Sequence, residues 1–263
     1  MNILDEIVAK RKQDVAKRKQ EKSLPELEKS PFFQRSVISA SSYITAPEKS
    51  GIIAEHKRAS PSKGIINNTL SVIDVTTAYE KAGASCISIL TEEHYFKGSA
   101  QDIREVRDSV SIPILRKDFI VNEYQIVEAK ALGADFILLI AAYLSQEQIR
   151  HYTQLAHSLD LEVLCEIHTQ SEVDKCIPEI NIIGVNNRNL KDFSVDIEHS
   201  IALLEHIPAS FVRISESGIS NPETVIRLKS KGFDGFLMGE NFMKHNAPGK
   251  ACAQFIKESN LLS

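Results

Sequence analysis

Short apolar, β-branched segments recur along this chain, with starts separated by about 20 to 35 residues. They fall at residues 52–54, 86–90, 112–115, 136–140, 162–167, 182–185, 211–214 and 235–238. Each gap holds a helix-compatible segment, at 72–82, 102–109, 123–132, 145–159, 171–176, 197–206, 221–231 and, closing the chain, 250–258. Punctuation supports the helices. Ser145, Ser171 and Asn221 are candidate N-caps, Pro222 follows Asn221, and Gly133 and Gly232 are natural stops. Strand–helix alternation implies a parallel sheet with right-handed crossovers. Eight units in about 210 residues predict an α/β fold, a (β/α)8 or TIM barrel. The competing open, doubly wound sheet lacks its usual G-x-G-x-x-G turn after any strand. The pattern G-A-(D/S) leads into the strands at 86 and 136, and KGFDGFL at 231–237 echoes it.

Residues 1–50 stand outside this rhythm. Ile3, Leu4, Ile7, Val8 and Val15 form an incomplete helical stripe among basic residues, and 23–50 contains Pro25, Pro31 and Pro47. They predict a helical extension packing on a barrel of 51–263, one structural domain overall. The basic run reads more simply as a solvated helix face than as a nucleic-acid patch. A net charge of −4 also argues against a nucleic-acid partner. No apolar run approaches the ~20 residues that span a bilayer, and no signal peptide is evident. Cys86, Cys165, Cys176 and Cys252 form no C-x-x-C pair, and the eight histidines show no metal spacing. The expectation is a cytoplasmic, metal-free monomer with buried free thiols and no membrane partner.

In a barrel, chemistry collects at the C-terminal strand ends. The stretch IIAEHKRASPSKG, residues 52–64, places Glu55 and Lys57 on one face of strand one and His56 on the other. Taken alone, such a pair is often a surface ion pair of little energy. The same rim also collects Thr91 and Glu92; Lys117, Asp118 and Phe119; Glu166; Asn186 and Arg188; Glu216, Ser217 and Gly218; and Gly239 and Glu240. Burying so many polar groups without purpose is costly, and lysines converging with carboxylates suggest acid–base chemistry. SESGIS and FLMGEN, after strands seven and eight, place backbone N–H groups where this fold binds phosphate. His56 and Arg116 are assigned to the outward face, and His168 to a loop beyond the rim.

These motifs, in this order, resemble indole-3-glycerol-phosphate synthase. The resemblance rests on IIAEHKRASPSKG, SILTEEHYFKGS, PILRKDFIVNEYQIVEAKALGADFILLI, CEIHTQSE, IIGVNNRNL, SESGIS and FLMGENFM, and covers nearly the whole chain. It implies ring closure, decarboxylation and dehydration of 1-(2-carboxyphenylamino)-1-deoxyribulose 5-phosphate, a step of tryptophan biosynthesis needing no cofactor. By the same resemblance, Lys117 is the general acid at the substrate ketone. Glu166 is a base or an electrostatic support for the cationic intermediate. Glu55 and Lys57 form the strand-one pair, with Lys57 binding substrate anions and donating the proton that lets hydroxyl leave. Asn186 and Arg188 orient the substrate, Arg188 at the anthranilate carboxylate. Ser60, Glu216 and Ser217 contact substrate. Phe96, Phe119 and Leu138 wall the aromatic ring. Gly218, Gly239 and the Glu240 backbone form the phosphate cradle with Lys57, provided that the Glu240 carboxylate turns to solvent.

Two rivals are weaker. A phosphoribosylanthranilate isomerase is not expected to carry the N-terminal extension, RKDF or E-x-K-x-x-S-P. A non-catalytic binder of phosphorylated metabolites needs only the two glycine loops. A bifunctional chain needs about 200 further residues.

Overall fold

Eight parallel strands close into a ring in the computed structural model, which describes residues 3–189, 193–259 and 261. They are β1 (Ile52–His56), β2 (Cys86–Leu90), β3 (Ile114–Lys117), β4 (Phe136–Ile140), β5 (Glu162–Ile167), β6 (Ile182–Asn186), β7 (Val212–Glu216) and β8 (Gly235–Met238). Each pairs in parallel with its sequence neighbours, and β1 pairs with both β2 and β8 to close the barrel. Period-two alternation divides the strand residues. Ile53, Leu115, Phe136, Leu138, Leu164, Ile214 and Leu237 fill the interior. Ile52, Ala54, Ile87, Ile89, Ile137 and Val163 point outward into the larger layer beneath the helices.

Three helices precede the ring: α1 (Ile3–Glu21), α2 (Leu24–Glu28) and α3 (Ala40–Thr45). Ala40 and Ile44 of α3 join the interior cluster. Val15 of α1 and Leu27 of α2 pack on Tyr124, Val127 and Ala131 of α6 (Tyr124–Leu132). The remaining helices are α4 (Val72–Lys81), α5 (Ala100–Arg107), α7 (Gln146–Ser158), α8 (Gln170–Val173), α9 (Ile197–Leu204), α10 (Pro222–Lys231), α11 (Glu240–Met243) and α12 (Pro248–Glu258). A two-residue hairpin pairs Ala59–Ser60 with Gly64–Ile65 beyond β1.

Several boundaries differ from the sequence expectation. β3 starts after Pro113, which has no N–H to give a ladder, and runs to Lys117 instead of stopping at 115. β7 runs from Val212 to Glu216, later than the expected 211–214, because Asn186 and Glu216 pair in register. α8 begins after Thr169, not at Ser171, and lasts a single turn. α5 is capped by Ser99, whose hydroxyl accepts from the Gln101 N–H. The expected caps at Ser145 and Asn221 hold, as do the left-handed stops at Gly133 and Gly232. The last residue of the IIGVNNRNL motif, Leu190, lies outside the described residues. All four cysteines are free, and only Cys176 is partly exposed.

Candidate active site

Alternation on β1 carries Glu55 inward, and Lys57 follows it on the same side. Lys57 Nζ lies 2.8 Å from Glu55 Oε1, and Ser88 Oγ donates to Glu55 Oε2 at 3.3 Å. Gly239, after β8, makes room for this carboxylate. A Cβ there would stand 2.6 Å from Glu55 Oε1. His56 points the other way and is buried, and burial lowers its imidazole to about 4. Its assignment to the outward face agrees with this position.

Lys117 ends β3 on the same face as interior Leu115. Its Nζ lies 2.8 Å from Glu216 Oε2, 3.7 Å from Glu55 Oε2 and 3.9 Å from Glu166 Oε2. Burial alone would lower this ammonium's proton affinity, but the three carboxylates outweigh burial and raise it. Glu55 is likewise pushed up by burial, yet Lys57 and Lys117 prevail and lower it. Burial pushes Glu216 up to about 7; Lys117 opposes this, while Glu166 and Glu55 add to it. Near neutral pH the Lys117 ammonium therefore faces an ionised Glu55 and a Glu216 that is partly protonated.

Aromatic side chains form one wall. Phe96 and Phe119 lie 6.0 Å apart between ring centroids, and Tyr143 stacks 6.3 Å beyond Phe119. Leu138, from the barrel interior, lines the same cavity. Glu92 fixes the loop that carries Phe96. Its Oε1 accepts from the His94 N–H at 2.9 Å, and its Oε2 from those of Tyr95 and Phe96 at 2.7 and 3.0 Å.

The opposite wall favours anions. Lys57, Ser60, Arg188, Gly218 and Gly239 line it. Ser217 and Gly218 both adopt left-handed backbone, with φ of 68° and 70°. Asn187, absent from the sequence reasoning, braces that turn: its Nδ2 donates to Ser215 Oγ at 3.0 Å and to the Ser217 carbonyl at 2.8 Å. It neighbours the inward Asn186 and points outward, so strand alternation gave no reason to single it out. Asn186 Oδ1 accepts from the Arg188 N–H at 3.0 Å.

The Glu240 carboxylate corrects an expectation. It does not simply face solvent, but lies 3.4 Å from Arg188 Nη2 and 3.6 Å from Lys63 Nζ, because those cations offer better partners than water across the rim. Glu216 is a second difference. It is fully buried and lies beneath the cavity, whereas Glu55, Lys57, Lys117, Glu166, Asn186 and Arg188 line it. The cavity measures about 480 Å³, within the range for small-molecule sites.

Helix α1 is closer to this site than its incomplete stripe suggests. Ile3, Leu4 and Ile7 line the cavity. Arg11 is fully buried and bonds to Asp118, the residue after Lys117. Asp118 also accepts from Thr91 Oγ1 at 2.6 Å and from Arg116 Nη2 at 3.1 Å. Burial raises Asp118, but Arg11 and Arg116 overcome it and hold the carboxyl down at about 2. Arg116 bonds outward to Glu128 at 2.6 Å, as its outward assignment requires. Among the described residues, no group of three or more His, Cys, Asp or Glu is placed to hold a metal ion, and no helix is long and apolar enough to cross a membrane.

A family model described as indole-3-glycerol phosphate synthase matches residues 4–255. The chain belongs to the indole-3-glycerol phosphate synthase family. It is thus a carboxy-lyase of tryptophan biosynthesis. Indole-3-glycerol phosphate synthase of Bacteroides thetaiotaomicron is 46% identical over 263 residues, covering 97% of this chain and 98% of the relative. That of Campylobacter jejuni is 44% identical over 254 residues, covering 95% and 98%. Solved structures share the fold at low identity. Tryptophan synthase subunit alpha from Legionella pneumophila superposes with a TM-score of 0.62 at 13% identity, covering 84% of this chain and 97% of that one. Thiamine phosphate pyrophosphorylase from Pyrococcus furiosus gives 0.60 at 16% identity, covering 84% and 100%.

Proposed function

We propose that Lys117 drives ring closure of 1-(2-carboxyphenylamino)-1-deoxyribulose 5-phosphate, with the residues around it dividing the later steps. The observation that carries this reading is the Lys117 ammonium, held protonated within 4 Å of three carboxylates at the floor of an aromatic-walled cavity. Lys117 gives its proton to the substrate carbonyl oxygen as the aromatic carbon attacks the carbonyl carbon. The ring then carries an iminium cation, which the Glu166 carboxylate stabilises. The C–CO2 bond breaks, and its electron pair restores the aromatic ring. Lys57 protonates the leaving hydroxyl, and Glu55, 2.8 Å from Lys57, takes the carbon-bound proton that completes the pyrrole. Donor and acceptor for the dehydration thus lie side by side.

Phe96, Phe119 and Leu138 hold the aromatic ring of the substrate. Arg188 and Asn186 orient its carboxylate end, with Ser60 and Ser217 as further contacts. Glu216 acts from below by holding Lys117. The phosphate rests on the backbone N–H groups of Gly218, Gly239 and Glu240, with Lys57 supplying charge. Residues 1–50 serve as an extension docked on the barrel of 51–263. The buried thiols and a net charge of −4 support a cytoplasmic enzyme that binds no nucleic acid, and we assign it as a monomer.

The test is incubation with the carboxyphenylamino-deoxyribulose phosphate while following indole fluorescence. Lys117→Ala should lose turnover by about 10²–10⁴-fold while keeping its affinity for inorganic phosphate. Near-normal turnover in that variant would overturn the assignment.

A further inference from the structure

His168 stands two residues beyond Glu166, so the two side chains leave the strand on the same side. Its Nε2 lies 3.6 Å from Glu166 Oε1, and its Nδ1 lies 3.6 Å from Glu172 Oε2. Both ring nitrogens are buried without a hydrogen-bond partner among the described residues. The ring is held in place through its own backbone. Glu172 Oε2 accepts the His168 N–H at 2.6 Å, and His199 Nε2 donates to the His168 carbonyl at 2.6 Å. Glu166, meanwhile, turns its other oxygen, Oε2, toward Lys117 at 3.9 Å. Glu172, His168, Glu166 and Lys117 therefore form a line that alternates in charge when the imidazole is protonated.

We propose that His168 is a positioning residue for Glu166, with Glu172 anchoring the imidazole that holds the Glu166 carboxylate toward the cavity. A neutral imidazole filling this space would leave two buried nitrogens facing two carboxylates, one of them with no proton to share. A cationic ring satisfies both sides. Burial alone would lower the ring's proton affinity, but Glu172 and Glu166, with Glu216 farther off, outweigh it and raise it. The charged and titratable groups facing this line are Glu166, Glu216 and Lys117 from the barrel, Glu172 and Lys175 from α8 and just beyond it, and His199 from α9. The imidazolium pulls Oε1 while Lys117 pulls Oε2, so the plane of the carboxylate is fixed from both ends. When the imidazole loses its proton the hold on Oε1 is lost, so the positioning is strongest on the acid side of the ring's titration. This inference rests on the role proposed for Glu166.

The experiment compares pH profiles of kcat and KM for the wild type, His168→Gln, Glu172→Gln and Glu166→Gln. In His168→Gln, kcat at pH 6 relative to pH 8 should fall about tenfold below the wild-type ratio, with KM unchanged. Glu172→Gln should move the ratio in the same direction by less. Turnover retained by Glu166→Gln would defeat the reading of Glu166 itself. If that variant is inactive while His168→Gln keeps the wild-type profile, even at a uniformly lower kcat, the positioning role is overturned. Imidazole NMR titration gives a readout that does not depend on turnover or on His168→Gln folding. The His168 midpoint should drop in both glutamate variants, and an unmoved midpoint would overturn the proposal.

Discussion

Gly184 on β6 lies directly beneath the carboxylate of Glu216 on β7. A Cβ at 184 would overlap Glu216 Oε1, the oxygen that has no hydrogen-bond partner among the described residues. The other oxygen, Oε2, holds Lys117 at 2.8 Å. The missing side chain at 184 therefore sets the height of Glu216, and through it the position of the ammonium.

Gly184→Ala should push Glu216 upward and displace Lys117. We expect kcat to fall about 10–100-fold with KM little changed, and overpacking to cost about 1–3 kcal/mol of stability. Steady-state kinetics with a urea melt measure both, and unaltered kcat would show that Glu216 does not set the lysine.

Arg11 and Asp118 make a buried pair whose halves belong to the extension and the barrel. Asp118→Asn should destabilise the protein at neutral pH by about 3–5 kcal/mol, because Arg11 keeps its charge in a buried position. The wild-type carboxyl is held below its ordinary 3.8, at about 2. Its stabilising contribution is therefore present above 3.8 and is lost as pH falls toward 2. Urea melts at pH 7, 4 and 3 should show this decline in the wild type and a shallower one in Asp118→Asn.

Glu216 behaves in the opposite sense. Its folded carboxyl binds a proton more tightly than an ordinary carboxyl at 4.5, with a midpoint of about 7. Its contribution to stability is full below 4.5 and lost as pH rises through about 7. Glu216→Gln should flatten the stability profile between those values and remove an inflection near pH 7 from the kcat profile. An inflection that persists in the variant would assign it to another group.

Glu92→Ala leaves three backbone N–H groups without their acceptor and frees the loop that bears Phe96. KM should rise about tenfold, while kcat at saturation changes by less than about threefold, since binding geometry is lost and the lysine centre is untouched. A variant with wild-type KM would show that the loop is held by other contacts.

The barrel and most of its site are legible in the sequence because both rest on local rules. Eight β-branched segments at regular spacing specify the ring. Period-two alternation sends Glu55, Lys57, Lys117 and Glu166 to one rim and His56 and Arg116 away from it. The features that escape are those in which distant segments meet. Nothing local in α1 pairs Arg11 with Asp118, and nothing in GVNNRNL distinguishes the brace at Asn187 from a loop residue. Glu216 shares the rim in sequence terms, yet the small neighbour at 184 lets it sink below the cavity. His168 lies on the loop past the strand end, as expected, but nothing local shows that the single turn of α8 folds Glu172 back onto it and buries the ring nitrogens.

The pairing of Arg11 with Asp118 also bears on how the protein is made. The partners lie 107 residues apart in sequence. At a ribosomal pace of about 5–20 residues per second, Arg11 is synthesised roughly 5–20 seconds before its partner. During that interval Asp118 is not there to receive the guanidinium. Helix α1 thus completes this contact only after three of the eight strands have been made, and a nascent chain halted before Asp118 would expose this segment to proteases that the finished protein resists.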